Sequence, residues 1–282
     1  MSARPYVTSA RLAWLDDQLG PRDLAILRVV ALIGVASGRQ LERLHFAGLT
    51  SSAAARLATT DQPGVACSAR APCRRSPRRL GRLRLRPECR RSTAHGHAEP
   101  ATTRTPRPVS LMTLAHRLAV TELYVQLVEL TRQQPLELAC FQPEPACWRQ
   151  FTGAYGELVT LKPDAFVTLH SDRYEDRYFI EIDRATESPA TVRRKIEVYR
   201  RYWATGREQT RHAVFPLVLY LVPDQQRQAQ LDTVIARQPA DSQRLYHIAL
   251  TDAVPEVFFD ATTPIVEHDQ QMGQNDRWRQ MG

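Results

Sequence analysis

The apolar pattern of this chain is interrupted over residues 61–110, and that interruption limits how the chain can fold. The segment shows neither helical nor strand periodicity, and it holds seven of the nineteen prolines and twelve arginines against three acidic residues. Such a composition buries too little apolar surface to offset the entropy lost on ordering. We therefore expect two folded regions, residues 1–60 and 111–262, joined by a disordered basic linker, with residues 263–282 as a flexible tail.

The positive charge of the chain is concentrated in this linker. The formal net charge is +8, and the linker alone contributes +9, so the remainder is close to neutral. Basicity is therefore not spread over the folded regions as a nucleic-acid footprint. Two alternatives to a passive linker stay open. One is an arginine-rich arm that grips phosphates. The other is a frame-shifted translation of residues 60–108, because back-translation with GC-rich codons, read one base later, gives a Gly-rich turn and a Tyr-Val-Tyr strand.

Membrane insertion and zinc binding are not indicated by the sequence. No apolar run reaches the roughly 18 residues of a membrane-spanning helix, and the N-terminus lacks the apolar core of a signal peptide. The five cysteines form no Cys-x-x-Cys pair and show no zinc-finger spacing. We expect a cytoplasmic protein with no membrane partner.

The N-terminal region has the pattern of a helix-turn-helix. The stretches "GPRDLAILRVVALIGVA", "SGRQLERLHFAG" and "TSSAAARLATT" predict three short helices with a tight second connection. In such a motif the third helix enters the major groove of double-stranded DNA. Ser51, Ser52 and Arg56 lie on that predicted helix and are the candidate DNA-binding residues. A small helical bundle without a DNA role fits the same pattern.

The second region alternates between helix and strand patterns. The stretch "SLMTLAHRLAVTELYVQLVELTRQQ" predicts a long amphipathic helix, and "LELACFQPE", "DAFVTLH" and "RYFIEID" predict three strands. A helix beginning at Ser188 and Pro189 follows, then the buried strand "AVFPLVLYLVPD", a polar helix and a short strand near "LYHIAL". The core order α-β-β-β-α-β predicts an α+β domain.

Acidic residues gather at the ends of two of these strands. Asp164 begins one strand, while Glu181 and Asp183 end the next, and residues two apart on a strand face the same way. Neighbouring carboxylates repel each other unless a cation lies among them. Oxygen ligands of this kind suit Mg²⁺ or Mn²⁺, so Asp164 and Glu181 are the candidate metal ligands.

The two lysines of the chain, Lys162 and Lys195, flank this acidic segment. Lys195 lies on the following helix, from which its compact ammonium group could polarise a scissile phosphate, a role that arginine does not reproduce. The alternative interpretation is a set of surface salt bridges among Asp183, Arg184, Glu187 and Lys195.

Several motifs resemble known families. "PDAF" followed by "FIEID" and a lysine-bearing helix resembles the PD-(D/E)XK nuclease fold. More closely, "LAHRLAVTELYVQLVE", "EPACWRQF", "LKPDAFVTL", "FIEIDRATES", "RKIEVYRRYW" and "GREQTRHAVFPLVLYLVPD" are similar to the replication-relaxation family. Its members join an N-terminal winged-helix region to a nuclease-like domain. The resemblance implies a restriction-endonuclease-like second region after a winged-helix region that is incomplete here.

The resemblance also implies roles for individual residues. Asp164 and Glu181 match the metal carboxylates, and Glu122 matches the glutamate of the early helix. Asp183 stands where the nuclease motif has its lysine, so Lys195 would be a migrated lysine. These five residues are the candidate catalytic set.

The function implied by the resemblance is DNA binding in the replication or relaxation of plasmids or mobile elements, with replication or relaxation proteins as further partners. Two alternatives remain open at this point. The second region is either an active Mg²⁺-dependent DNA endonuclease or a metal-free scaffold for protein interactions.

Overall fold

A computed structural model describes residues 9–47, 110–171 and 174–260. The chain separates into two compact units, which are described separately here. Unit 1 includes residues 9–47 and 110–125, and unit 2 includes the described residues from 126 onward.

Part of what the sequence predicts falls outside the described residues. This holds for the linker up to residue 109 with its frame-shift alternative, for the third helix of the helix-turn-helix, and for the tail over residues 263–282. These remain predictions. Within the described ranges, no helix is both long enough and apolar enough to cross a membrane.

Unit 1 is helical throughout its described elements. They are α1 (Ser9–Gln18), α2 (Pro21–Ile33), α3 (Gly38–His45) and the first turns of α4 (Leu111–Gln133). Proline at the first position of α2 lacks only an amide hydrogen that has no partner inside the helix. Gly34 ends that helix with a φ of 81°, a conformation that glycine adopts without a steric penalty.

Helix α3 begins at a reciprocal cap. The Ser37 side chain accepts from the backbone N–H of Gln40 at 3.3 Å, and the Gln40 side chain accepts from the backbone N–H of Ser37 at 3.0 Å. This capping box satisfies two of the amide hydrogens left over at the start of a helix. The first two helices of the predicted helix-turn-helix, α2 and α3, are therefore present.

Unit 2 continues α4 and adds the strands and the remaining helices. In chain order they are β1 (Glu137–Pro143), β2 (Arg149–Thr152), β3 (Leu158–Leu161), β4 (Ala165–His170), β5 (Glu175–Ile182), α5 (Pro189–Trp203), α6 (Arg207–His212), β6 (Leu217–Val222), α7 (Gln225–Ala236), α8 (Ala240–Gln243), β7 (Tyr246–Leu250), a 3₁₀ turn (Thr251–Ala253) and α9 (Val254–Asp260).

Five of these strands form one mixed sheet with the order β1-β4-β5-β6-β7. β1 pairs with β4 and β4 with β5 in antiparallel fashion, whereas the β5–β6 and β6–β7 pairs are parallel. This mixed sheet with its helices confirms the predicted α+β class. The winged-helix and restriction-endonuclease-like arrangements remain predictions.

The predicted order of three consecutive strands after the long helix was incomplete. Strands β2 and β3 form an additional antiparallel hairpin between the first two predicted strands. Each is four residues long, too short to give a clear alternating pattern, and Gly156 in the connecting turn has a φ of 82°. Short strands of this kind are set by the turn and by packing rather than by propensity.

Helix α5 packs on the sheet and fixes the position of Lys195. Its residues Val192, Ile196 and Tyr199 are fully buried and belong to the main core cluster with Phe179 of β5. The rings of Phe179 and Tyr199 lie 5.8 Å apart between centroids. Lys195 lies between Val192 and Tyr199 on this helix, so its side chain projects from α5 close to the sheet.

Candidate functional site

The centre of the predicted site lies in unit 2, where β4, β5 and α5 meet. Asp164 immediately precedes β4, and its carboxylate accepts a hydrogen bond at 2.7 Å from the backbone N–H of Ile182 at the end of β5. Its own backbone N–H donates to the carbonyl of Ile180 at 3.0 Å. Asp164 is thereby attached to the neighbouring strand through both its backbone and its side chain, and it is 7% exposed.

Glu181 lies on β5 and has both carboxylate oxygens occupied. Oε2 accepts from the Lys195 ammonium at 2.9 Å, and Oε1 accepts from the Tyr199 hydroxyl at 2.7 Å. Lys195 and Tyr199 are four residues apart, so they lie on one face of α5 and reach the same carboxylate. With 2% of its surface exposed, Glu181 is a buried charge that depends on these two donors.

Lys195 bridges two carboxylates on different segments. Its Nζ lies 2.9 Å from Glu181 Oε2 and 3.0 Å from Oε1 of Glu187, which belongs to the loop before α5. Glu187 and Lys195 are each about one-third exposed, at 31% and 33%. The solvent-facing side of this ion pair is therefore the lysine and Glu187, and the buried side is Glu181.

The pKa values of the pair reflect this environment. Burial raises the pKa of Glu181, although the Lys195 charge opposes that shift, and the Asp164 charge adds to it. Burial lowers the pKa of Lys195, but the charges of Glu181 and Asp164 outweigh burial, so the net pKa is raised. The neighbouring carboxylates therefore favour the charged form of Lys195.

A family model described as replication-relaxation matches residues 27–218, about two-thirds of the chain. The protein belongs to the replication-relaxation family. No curated protein and no solved structure matches the chain. The match spans both units and includes Asp164, Glu181 and Lys195.

The predicted metal carboxylates of this replication-relaxation protein already accept hydrogen bonds from protein groups. Within the described ranges, no three His, Cys, Asp or Glu side chains are grouped as metal ligands. Glu181 already accepts hydrogen bonds at both oxygens, and one oxygen of Asp164 accepts from Ile182. A metal ion bound by both carboxylates would have to displace the Lys195 ammonium. The predicted Mg²⁺ or Mn²⁺ site therefore remains a prediction.

Asp183, the third carboxylate of the predicted cluster, lies in a separate ion pair. Both of its oxygens accept from the guanidinium of Arg227 on α7, at 3.1 Å and 2.7 Å. The side chains of Asp183 and Arg227 are 3% and 6% exposed. The first oxygen also accepts from the backbone N–H of Ala185 at 2.6 Å, which fixes the turn after β5.

The Arg227 guanidinium reaches further into the loop that precedes α5. Its Nη2 donates at 2.8 Å to the backbone carbonyl of Glu187, the residue whose side chain contacts Lys195. The Asp183–Arg227 pair thus fixes the backbone of this loop at Glu187, while Lys195 binds the Glu187 side chain. Of the surface salt bridges considered among Asp183, Arg184, Glu187 and Lys195, the Lys195–Glu187 pair is present and partly exposed, whereas Asp183 is buried and pairs with Arg227 instead.

Glu122, the candidate from the early helix, lies in unit 1. One carboxylate oxygen accepts from the Gln40 side chain at 2.9 Å, and the other forms an ion pair with Arg43. Gln40 also donates to the carbonyl of Leu118 at 3.0 Å. In this arrangement Glu122 attaches α3 to α4, and its catalytic role remains a prediction.

The candidate DNA-binding residues, Ser51, Ser52 and Arg56, lie outside the described residues. Two contributors to the centre were missed by sequence reasoning. Tyr199 could have been found, because it lies one helical turn after Lys195 on the same face. Arg227 gave no such indication, since it lies 44 residues beyond Asp183 in a stretch with a polar helix pattern.

Proposed function

We propose that this member of the replication-relaxation family is a DNA-binding protein that acts in the replication or relaxation of plasmids or mobile elements. The observation that carries the proposal is the family match over residues 27–218. Unit 1 supports it with α2 and α3, the first two helices of the predicted helix-turn-helix. Double-stranded DNA and replication or relaxation proteins are the proposed partners.

We further propose that unit 2 is a nuclease-like domain. Support comes from three residue types that such a site requires and that meet in unit 2. Asp164 lies before one strand, Glu181 lies on the adjacent strand and contacts Lys195, and Lys195 lies on the next helix. The hydrogen bond from Ile182 joins the ends of the two strands at this point.

Two forms of this domain differ in chemistry. The meeting of Asp164, Glu181 and Lys195 favours an endonuclease that uses Mg²⁺ or Mn²⁺. In that form the carboxylates would hold the ion, which would supply an activated water, and Lys195 would stabilise charge on the phosphate. The closed contacts of Glu181 with Lys195 and Tyr199 favour a scaffold that holds no metal ion.

DNA binding is tested with the full chain and labelled linear duplex DNA over a series of salt concentrations. We expect binding that weakens as salt rises, since phosphate contacts release counterions. Arg56→Ala should lower affinity and reduce the salt slope by about one charge. Arg200→Ala is the matched control, because Arg200 is paired with Glu197 on α5. Absence of duplex binding at low salt would contradict the proposal.

Cleavage is tested by incubating supercoiled and linear plasmid with the protein and Mg²⁺ or Mn²⁺. The endonuclease form predicts nicked or linear products that disappear with Asp164→Ala. Glu197→Ala is the control for loss of a carboxylate, since Glu197 is exposed and paired with Arg200. If binding persists while no divalent ion supports cleavage, the scaffold form stands and the endonuclease form is wrong.

A further inference from the structure

The ammonium group of Lys195 lies between two carboxylates of unit 2, where a cation is required. It contacts Glu181 at 2.9 Å and Glu187 at 3.0 Å, and the charge of Asp164 also acts on it. Glu181 is 2% exposed, so its charge cannot be compensated by bulk water. A buried carboxylate of this kind needs a cation at close range.

Both oxygens of Glu181 already accept a hydrogen bond. Tyr199 donates to one oxygen and Lys195 to the other. Tyr220, the register partner of Glu181 on β6, is also buried, at 1% exposed. The groups of this cluster that are partly exposed to solvent are Lys195 and Glu187.

We propose that Lys195 is the built-in counter-cation of this centre, and that it excludes divalent ions from Asp164 and Glu181 while it is paired. A lysine ammonium is a compact point charge, so it can occupy the position of a small cation between two carboxylates. Removal of the ammonium leaves Glu181 and Glu187 without their shared cation beside Asp164, and carboxylate oxygens are the ligand type that Mn²⁺ and Mg²⁺ bind. The inference rests on the geometry of unit 2 and does not depend on DNA binding.

The first test measures Mn²⁺ binding by electron paramagnetic resonance on the full chain. The proteins are wild type, Lys195→Met, Lys162→Met and the double variant Lys195→Met/Glu181→Gln. Lys162 is the matched control, because it is the other lysine of the chain and its ammonium lies 4.8 Å from the Trp148 ring centroid rather than among carboxylates.

We expect wild type and Lys162→Met to show only weak, non-stoichiometric binding. Lys195→Met should bind one Mn²⁺ at least tenfold more tightly, and the added Glu181→Gln change should abolish that gain. Stoichiometric Mn²⁺ binding by wild type that Glu181→Gln removes would overturn the proposal. A folded Lys195→Met variant without any gain in affinity would overturn it as well.

The second test needs no variant at the buried pair, so it holds even if Lys195→Met fails to fold. The wild-type chain has two lysines, and their acylation by a soluble N-hydroxysuccinimide ester can be followed separately by peptide mass spectrometry. Only a free amine reacts, and Lys195 is held charged by two carboxylates. We expect Lys195 to react at least tenfold more slowly than Lys162, with a ratio that Mn²⁺ leaves unchanged.

Divalent-ion entry gives a different outcome in the same measurement. If Mn²⁺ displaces the ammonium from Glu181, acylation of Lys195 accelerates while that of Lys162 does not. Such acceleration, or equal rates for the two lysines without metal, would refute the proposal. Neither result bears on duplex binding, so failure here is distinguishable from failure of the proposed DNA role.

Discussion

The buried ion pair between Asp183 and Arg227 gives the sharpest test of the fold around the site. We consider the substitution Asp183→Asn, which keeps the size of the side chain and removes its charge. The carboxylate accepts two hydrogen bonds from the guanidinium, at 3.1 Å and 2.7 Å, and one from the backbone N–H of Ala185 at 2.6 Å. In asparagine one carboxylate oxygen is replaced by an NH₂ group, which is a donor and would face one of these N–H donors. The charge of Arg227 would also lose its partner.

The expected cost follows from burial. The side chains of Asp183 and Arg227 are 3% and 6% exposed, so solvent does not screen the charge that remains. Removal of one partner of such a pair costs about 3 to 5 kcal/mol. At roughly 2 to 4 °C per kcal/mol for a chain of this size, the melting temperature should fall by about 6 to 20 °C. The matched control, Glu197→Gln, breaks the exposed pair with Arg200 and should cost about 0 to 1 kcal/mol.

Urea unfolding followed by circular dichroism measures both variants. The double variant Asp183→Leu/Arg227→Met should recover much of the loss, because replacement of both charges removes the unpaired group. If Asp183→Asn costs no more than Glu197→Gln at an unchanged m-value, the pair is not a buried structural contact and our description of the loop is wrong.

Three further predictions concern neighbouring groups. Tyr199→Phe removes the 2.7 Å hydrogen bond to Glu181 and should lower the free energy of unfolding in urea by about 1 to 3 kcal/mol. Tyr220→Phe should be neutral or stabilising, because the buried Tyr220 hydroxyl has no partner among the described residues, so equal losses for the two variants would contradict this. If cleavage is found, Lys195→Arg should lower its rate roughly 10²- to 10³-fold without changing DNA affinity, and a full rate in a cleavage assay would exclude Lys195 from the chemistry. Partial desolvation lowers the pKa of His247 although the residue is exposed on β7, so a small contribution to stability is lost as pH falls below the ordinary histidine value of about 6.5. The difference in unfolding free energy between wild type and His247→Gln should therefore change modestly between pH 8 and pH 5 in urea titrations, to the disadvantage of wild type at pH 5, and an unchanged difference would contradict this.

Local rules allowed much of unit 2 to be predicted from the sequence. Ser188 and Pro189 mark the start of α5, and the Ser188 hydroxyl does accept from the backbone N–H of Thr191, at 3.2 Å. The continuous apolar run that predicts a buried strand became β6, a central strand with five of its six residues buried. Caps and buried strands are predictable because the residues that define them are adjacent in sequence.

Features that depend on distant residues could not be predicted. The β2–β3 hairpin was missed because each strand is four residues long. The pairing of Asp183 with Arg227 was missed because burial, rather than spacing, brings these two residues together. Glu122 shows the same limitation, since its partners Gln40 and Arg43 lie about eighty residues earlier in the chain.

The Lys195–Glu187 and Asp183–Arg227 ion pairs both contact the loop before α5, and this loop therefore couples Lys195 to α7. Arg227 holds the backbone carbonyl of Glu187 at 2.8 Å, and the Glu187 carboxylate holds Lys195 at 3.0 Å. Loss of the Asp183 charge removes the ion-pair partner of Arg227. It should therefore loosen the loop that positions Glu187, one of the two carboxylates that contact Lys195. Residues joined through a shared group show interaction energies of about 0.5 to 3 kcal/mol in double-mutant cycles. A cycle between Asp183→Asn and Glu187→Gln should therefore depart from additivity by that amount, whereas additive costs would mean that the two pairs stabilise the domain independently.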